Sequence, residues 1–110
     1  MTDINTKKIR ALNDLFRTVF FTGRVVCTEG FRSLKEEDKA ELITKIREFK
    51  DFNKNNDPHG EHDFGLVEHN DIKSYWKIDY YDTKKEYLSP NPADPKLTRR
   101  VLTIMLAHEY

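Results

Sequence analysis

Cysteine is almost missing from this chain: Cys27 stands alone among 110 residues. No intrachain disulfide can form, which agrees with a reducing cytoplasm. An excess of charge of either sign is also missing, because 19 Lys and Arg stand against 19 Asp and Glu. A general nucleic-acid binder carries a basic excess, so that role is not expected. No apolar run approaches the roughly 20 residues that cross a bilayer. The opening Met1-Thr2-Asp3-Ile4-Asn5 lacks the basic-then-apolar pattern of a secretory signal. These absences predict a cytoplasmic protein with no membrane association. No serine or cysteine sits in a recognisable nucleophile motif, and no glycine-rich phosphate loop is present. Internal repeats and low-complexity segments are absent too.

What is present suits one domain over residues 1–110. Hydrophobic residues make up only 37%, but seven Phe, five Tyr and Trp76 bury a large area each. Ile9, Leu12, Phe16 and Val19, widened by Leu15 and Phe20, predict an amphipathic helix over 3–20, with Asp3, Asn5 and Thr6 as possible caps and Gly23 as its end. Arg24-Val25-Val26-Cys27-Thr28 reads as a short strand closed by Gly30, with Cys27 as a small buried hydrophobe. Ser33 followed by Glu36 reads as a capping box opening a helix over 34–50, with Leu42, Ile43, Ile46 and Phe49 on its buried face.

Phe64–His69 and Ile72–Tyr81 read as a hairpin turning at Asn70-Asp71. A two-residue turn sets Glu68 opposite Lys73 and Gly65 opposite Trp76. Extended further, it sets His62 opposite Asp79. Asp94-Pro95 looks like the start of a last helix over 95–108, with Leu97, Val101, Ile104, Met105 and His108 on one face. The order α-β-α-β-β-α implies an α+β domain: a three-stranded, mostly antiparallel sheet packed against three helices. The Trp76 face should meet the helices. The Tyr75–Lys77–Asp79 face, together with His62, should be the more accessible one.

Asn56-Asp57-Pro58-His59-Gly60-Glu61-His62-Asp63-Phe64-Gly65 is the most informative stretch. Five of its residues, Asp57, His59, Glu61, His62 and Asp63, can bind a proton or a metal. One reading is a metal site built on His59 and His62 with Glu61, Asp63 and Asp79, since imidazole plus carboxylate suits zinc, manganese or iron. The spacing matches no standard metalloprotease, zinc-finger or calcium-loop pattern. Another is acid–base catalysis by His62 oriented by Asp79. The favoured one is a hydrogen-bonded polar plug at the end of the sheet, with Asp57 and Asn56 folded back on backbone amides. Arg99-Arg100 can turn back toward this acidic loop or take a phosphate or carboxylate. Tyr75, Tyr80, Tyr81 and Tyr87, near Lys84 and Lys85, offer an interface or cross-strand packing. Tyr75, Lys77, Tyr81, Arg99 and Arg100 are the candidate interface residues.

The polar stretch, with Trp76-Lys77-Ile78-Asp79-Tyr80-Tyr81-Asp82, Asp94-Pro95 and Thr98-Arg99-Arg100-Val101-Leu102-Thr103-Ile104-Met105-Leu106-Ala107, resembles a bacterial domain family of unknown function numbered 3768. Asn13-Asp14-Leu15-Phe16-Arg17 and Gly23-Arg24-Val25-Val26 extend the resemblance over nearly the whole chain. It implies a compact bacterial single-domain protein, sometimes carried on mobile elements, and it supplies no activity or catalytic residue. The functional expectation is a non-catalytic module binding another protein, such as a mobile-element or phage inhibitor of a host defence or regulatory protein, with no cofactor. The alternative is a metal-dependent hydrolytic enzyme using a divalent ion at His59, Glu61, His62, Asp63 and Asp79.

Overall fold

The computed structural model describes residues 4–110. The order is α1 (Ile4–Val19), β1 (Arg24–Cys27), α2 (Glu29–Arg32), α3 (Glu36–Arg47), β2 (Phe64–His69), β3 (Ile72–Tyr81) and β4 (Arg99–Leu106), closed by a 3-10 turn over Ala107–Glu109. This is an α+β architecture, but the sheet has four strands in the order β1-β4-β3-β2. β1 runs parallel to β4, and the other two pairings are antiparallel. The three-stranded expectation is corrected accordingly.

The largest correction concerns the end of the chain. Residues 99–106 are not a helix but a central strand, paired on one side with β1 and on the other with β3. β4 carries apolar residues on both faces, Val101 and Met105 outward and Leu102 and Ile104 inward, and such a run also satisfies a helical stripe. The β-branched Val101, Thr103 and Ile104, and the short length of the run, fit the pleat better. Asp94 does not cap a helix. It closes a turn, its Oδ1 accepting from the Lys96 amide at 2.9 Å and its carbonyl from the Leu97 amide at 3.1 Å.

The capping box is corrected as well. Thr28 caps the short α2 through its hydroxyl, while Ser33 ends that turn by donating to the Glu29 carbonyl at 2.9 Å. α3 starts at Glu36 behind Lys35, with no side-chain cap. Its first turn still carries Glu36, Glu37 and Asp38 against the positive helix end. The first helix follows its stripe, with Ile9 and Phe16 buried and Leu15 exposed. It stops at Phe20, whose φ of 64° breaks the helical run before Gly23 is reached. The proposed Asp3 cap lies outside the described residues.

The hairpin has the expected register: Gly65 pairs with Trp76 and Glu68 with Lys73. Asn70 and Asp71 both take positive φ, 49° and 62°, as a tight two-residue turn requires. A Cβ on Gly65 would lie 2.6 Å from the Trp76 Nε1, so the indole occupies the space a side chain would need. Trp76, Ile78, Leu102 and Ile104 form the inner face of the sheet and pack with Phe16, Phe31, Leu42 and Ile46. Val101 and Met105, expected on one face of a helix, instead face away from this cluster by register, opposite Asp79 and Tyr75. Met105 is nonetheless buried, and Val101 is half-buried.

Candidate functional site

The polar loop folds against α1, not against the outer end of β3. Asp63 still accepts from the Ile78 amide at 2.8 Å, but the chain departs from the sheet at His62, whose φ is 57°. That turn carries the imidazole to the helix side. His62 Nδ1 lies 2.9 Å from Asp14 Oδ1, and Nε2 lies 3.6 Å from Asp57 Oδ2. The ring stacks on Phe52 with centroids 3.7 Å apart and planes 3° from parallel. The expected His62–Asp79 pair is therefore overturned. Asp79 sits on the outer face of β3 and pairs with Lys77 at 3.2 Å. Extrapolating the register past Asp63 failed because a left-handed residue reverses the side-chain direction.

Behind His62 lies a buried cation. Arg17 is 4% exposed. Its guanidinium carbon sits 5.2 Å from the Phe52 ring centre and 5.0 Å from that of Trp76. Arg17 reaches Asp14 at 3.2 Å and donates to the Phe49 carbonyl at 3.1 Å. Its Nε is buried without an acceptor, as is Trp76 Nε1. Burial holds the Arg17 pKa below its ordinary value, and Asp14 opposes that shift. Asp14, shared between Arg17 and His62, borders an open cavity of about 260 Å³ that also touches Arg47, Phe49 and Lys50.

A second network joins the loop to β3 and β4. Asn13 is fully buried and fully used. Its Nδ2 donates to the Glu61 carbonyl at 3.0 Å and to Tyr80 Oη at 2.7 Å, and its Oδ1 accepts from Arg100 Nε at 2.7 Å. Tyr80 Oη donates to Glu61 Oε1 at 3.0 Å, with Asp63 Oδ2 at 3.4 Å. Arg100 also donates to the Pro92 carbonyl at 2.5 Å and lies over the Tyr80 ring. Burial first, then the neighbouring Glu61 and Asp57 charges, pushes the Asp63 carboxyl above the ordinary range. Burial and Asp63 push the Tyr80 phenol up as well. Burial lowers the Arg100 pKa, and nearby Tyr80 and Glu61 oppose it.

The five candidate cluster residues thus part company. Glu61 and Asp63 meet at Tyr80, His62 turns to Asp14 and Asp57, and Asp79 lies on the other face. His59 is exposed. Among the described residues, no three His, Cys, Asp or Glu side chains are arranged to share a metal ion. Of the candidate interface, Tyr75, Lys77 and Tyr81 are half-buried on the outer face of β3 and Arg99 is exposed, but Arg100 is buried inside the Asn13 network. Cys27 is half-buried and packs against the core, and burial raises its thiol pKa.

Sequence reasoning missed Asn13, Asp14, Arg17 and Phe52. One signal was available: Asn13 and Arg17 sit one turn apart on the same side of α1 as Ile9 and Phe16. A polar pair on a buried stripe needs partners from elsewhere in the fold.

The model of a family described as a protein of unknown function, DUF3768, matches residues 27–109. The matched span holds the polar loop and β2 to β4, while α1 precedes it. No curated protein and no solved structure matches the chain.

Proposed function

We propose that this chain, which belongs to the DUF3768 family, is a non-catalytic module that binds another protein through the outer face of its sheet. One observation carries this reading: the helices pack on the Trp76 face, and the opposite face presents aromatic and paired charged side chains. Phe64 and Tyr75 stack there at 5.1 Å, and Tyr110 folds back onto both. Leu66 is 40% exposed beside them, and the Lys77–Asp79 pair continues the surface. Rigid tyrosines with a polar border suit a protein interface, because they offer large contact area at small entropic cost. The spent state of the loop supports the same reading. Glu61 and Asp63 are held on Tyr80 and His62 is held between carboxylates, a stabilising arrangement.

The test is face-specific photo-crosslinking in the native cell. A photo-reactive residue at Lys77 or Thr103 should give one discrete adduct, and the same residue at Lys8 on α1 should give none. Tyr75→Glu should abolish the adduct without lowering the Tm by more than a few degrees. Adducts from Lys8 alone, or a stoichiometric divalent metal in elemental analysis of the purified protein, would overturn the proposal. The second result would favour a hydrolytic role for the polar loop.

A further inference from the structure

The loop before β1, the 82–87 turn and the loop before β4 meet around an open depression of about 400 Å³. Four of its eight lining residues are Arg24, Lys85, Arg99 and Arg100, and none is Asp or Glu. In a chain with 19 charges of each sign, four cations with no carboxylate in the lining is a local field that the overall balance conceals. Three of these cations are also uncommitted. Among the described residues Arg24 and Lys85 form no ion pair, and the Arg99 side chain donates only to the neighbouring Thr98 carbonyl, at 3.2 Å. Arg100, buried beneath them, bonds neutral groups alone, Asn13 and the Pro92 carbonyl.

The walls are held in place. Asp82 Oδ1 accepts from the Lys84 and Glu86 amides at 3.2 and 3.0 Å, and its carbonyl accepts from the Lys85 amide at 3.0 Å. Lys85 is thereby kept at a φ of 58°, a conformation disfavoured for a side chain of its kind. Gly23 lines the depression beside Arg24. A Cβ there would lie 2.7 Å from the Arg100 carbonyl, so the chain can pass this close only as glycine.

We propose that this depression binds a phosphoryl group carried on a small molecule. Arg24 and Arg99 would supply the planar guanidinium donors and Lys85 a point charge. The Thr22 hydroxyl on the rim would add a neutral donor. A doubly charged phosphoryl group fits three solvent-facing cations better than a single carboxylate does. The site lies at the Arg99 end of β4, whereas Tyr75 pairs with Met105 near the other end, so its occupancy and partner binding can be tested apart.

The experiment is an amide-resolved NMR titration of the full chain with inorganic phosphate, AMP and adenosine, at ionic strength held constant with sodium chloride. Phosphate and AMP should shift the amides of Gly23, Arg24, Lys85, Thr98 and Arg99 saturably, and adenosine should not. Equal affinities for phosphate and AMP would identify the phosphoryl group as the whole ligand, and tighter AMP binding would show that its ester is held too. Arg99→Gln should weaken AMP binding about tenfold, the loss of one charge-assisted contact. Lys85→Gly should weaken it comparably while leaving the Tm unchanged or higher, because glycine takes the same φ without penalty. Shifts no larger than those from chloride would overturn the proposal. So would Lys85→Gly and Arg99→Gln variants that fold and bind AMP as the parent does. Shifts caused by a single-stranded oligonucleotide but by neither phosphate nor AMP would overturn it in favour of a polymer site.

Discussion

The Arg17–Asp14 pair makes an asymmetric prediction about two ends of one contact. Arg17→Met removes a buried charge from between Phe52 and Trp76. It loses the bond to the Phe49 carbonyl, on the order of 1.5–3 kcal/mol for a charged donor. It also loses two cation–π contacts of about 0.5–1 kcal/mol each. Against this, it relieves the orphaned Nε, about 1–3 kcal/mol. The thioether restores about 0.3–1.5 kcal/mol of aromatic contact. The terms nearly cancel, so the expected cost is roughly 1 kcal/mol or less. Asp14→Ala leaves the Arg17 charge buried and takes an acceptor from His62. Breaking a buried pair costs about 3–5 kcal/mol, but the Asp14 side chain is 40% exposed, and water discounts the loss to about 2 kcal/mol. Urea unfolding of both single variants and the double variant gives the coupling directly. Arg17→Met should cost less than Asp14→Ala, and the double variant less than the sum of the two. If Arg17→Met proves the costlier change, or the coupling stays below about 0.5 kcal/mol, the account of Asp14 as the counter-charge of a buried arginine is refuted.

Leu102 is fully buried between β1 and β3, so Leu102→Ala should cost about 2–5 kcal/mol; a near-neutral result in urea would place β4 outside the core. The raised Asp63 carboxyl binds its proton more readily folded than unfolded, so its burial penalty is absent at low pH and grows as pH rises above the ordinary value of 3.8. Asp63→Asn should therefore stabilise the protein at neutral pH and flatten the rise in stability on acidification from neutrality toward that value; a parallel pH profile in thermal melts would contradict this. His62→Ala should lower stability by about 2 kcal/mol, from the lost Asp14 contact and the lost stack on Phe52. Partner binding should fall no further than the lost folded fraction explains; an unchanged Tm with lost binding would make His62 a contact residue instead.

Much of the architecture was legible in local chemistry. The α1 stripe, the β1 run and the hairpin with its Asn70-Asp71 turn depend on neighbours in sequence, and spacing alone specifies them. The pairing of Gly65 with Trp76 followed from a two-residue turn and needed nothing distant. The resemblance carried by the loop and the β3 and β4 motifs was likewise readable, and the DUF3768 match agrees with it. Two things required the folded molecule. Residues 99–106 are strand because β1 and β3 offer hydrogen-bonding edges on either side, and no window of sequence records those edges. The loop's chemistry was decided by His62, whose left-handed backbone sends the imidazole to Asp14 and away from Asp79. Asn13, Arg17 and Arg100 then became buried polar anchors because a buried donor must find its acceptor, and four of their bonds reach partners 32 to 87 positions away along the chain. Contacts closed over such distances belong to topology, which periodicity and spacing do not encode.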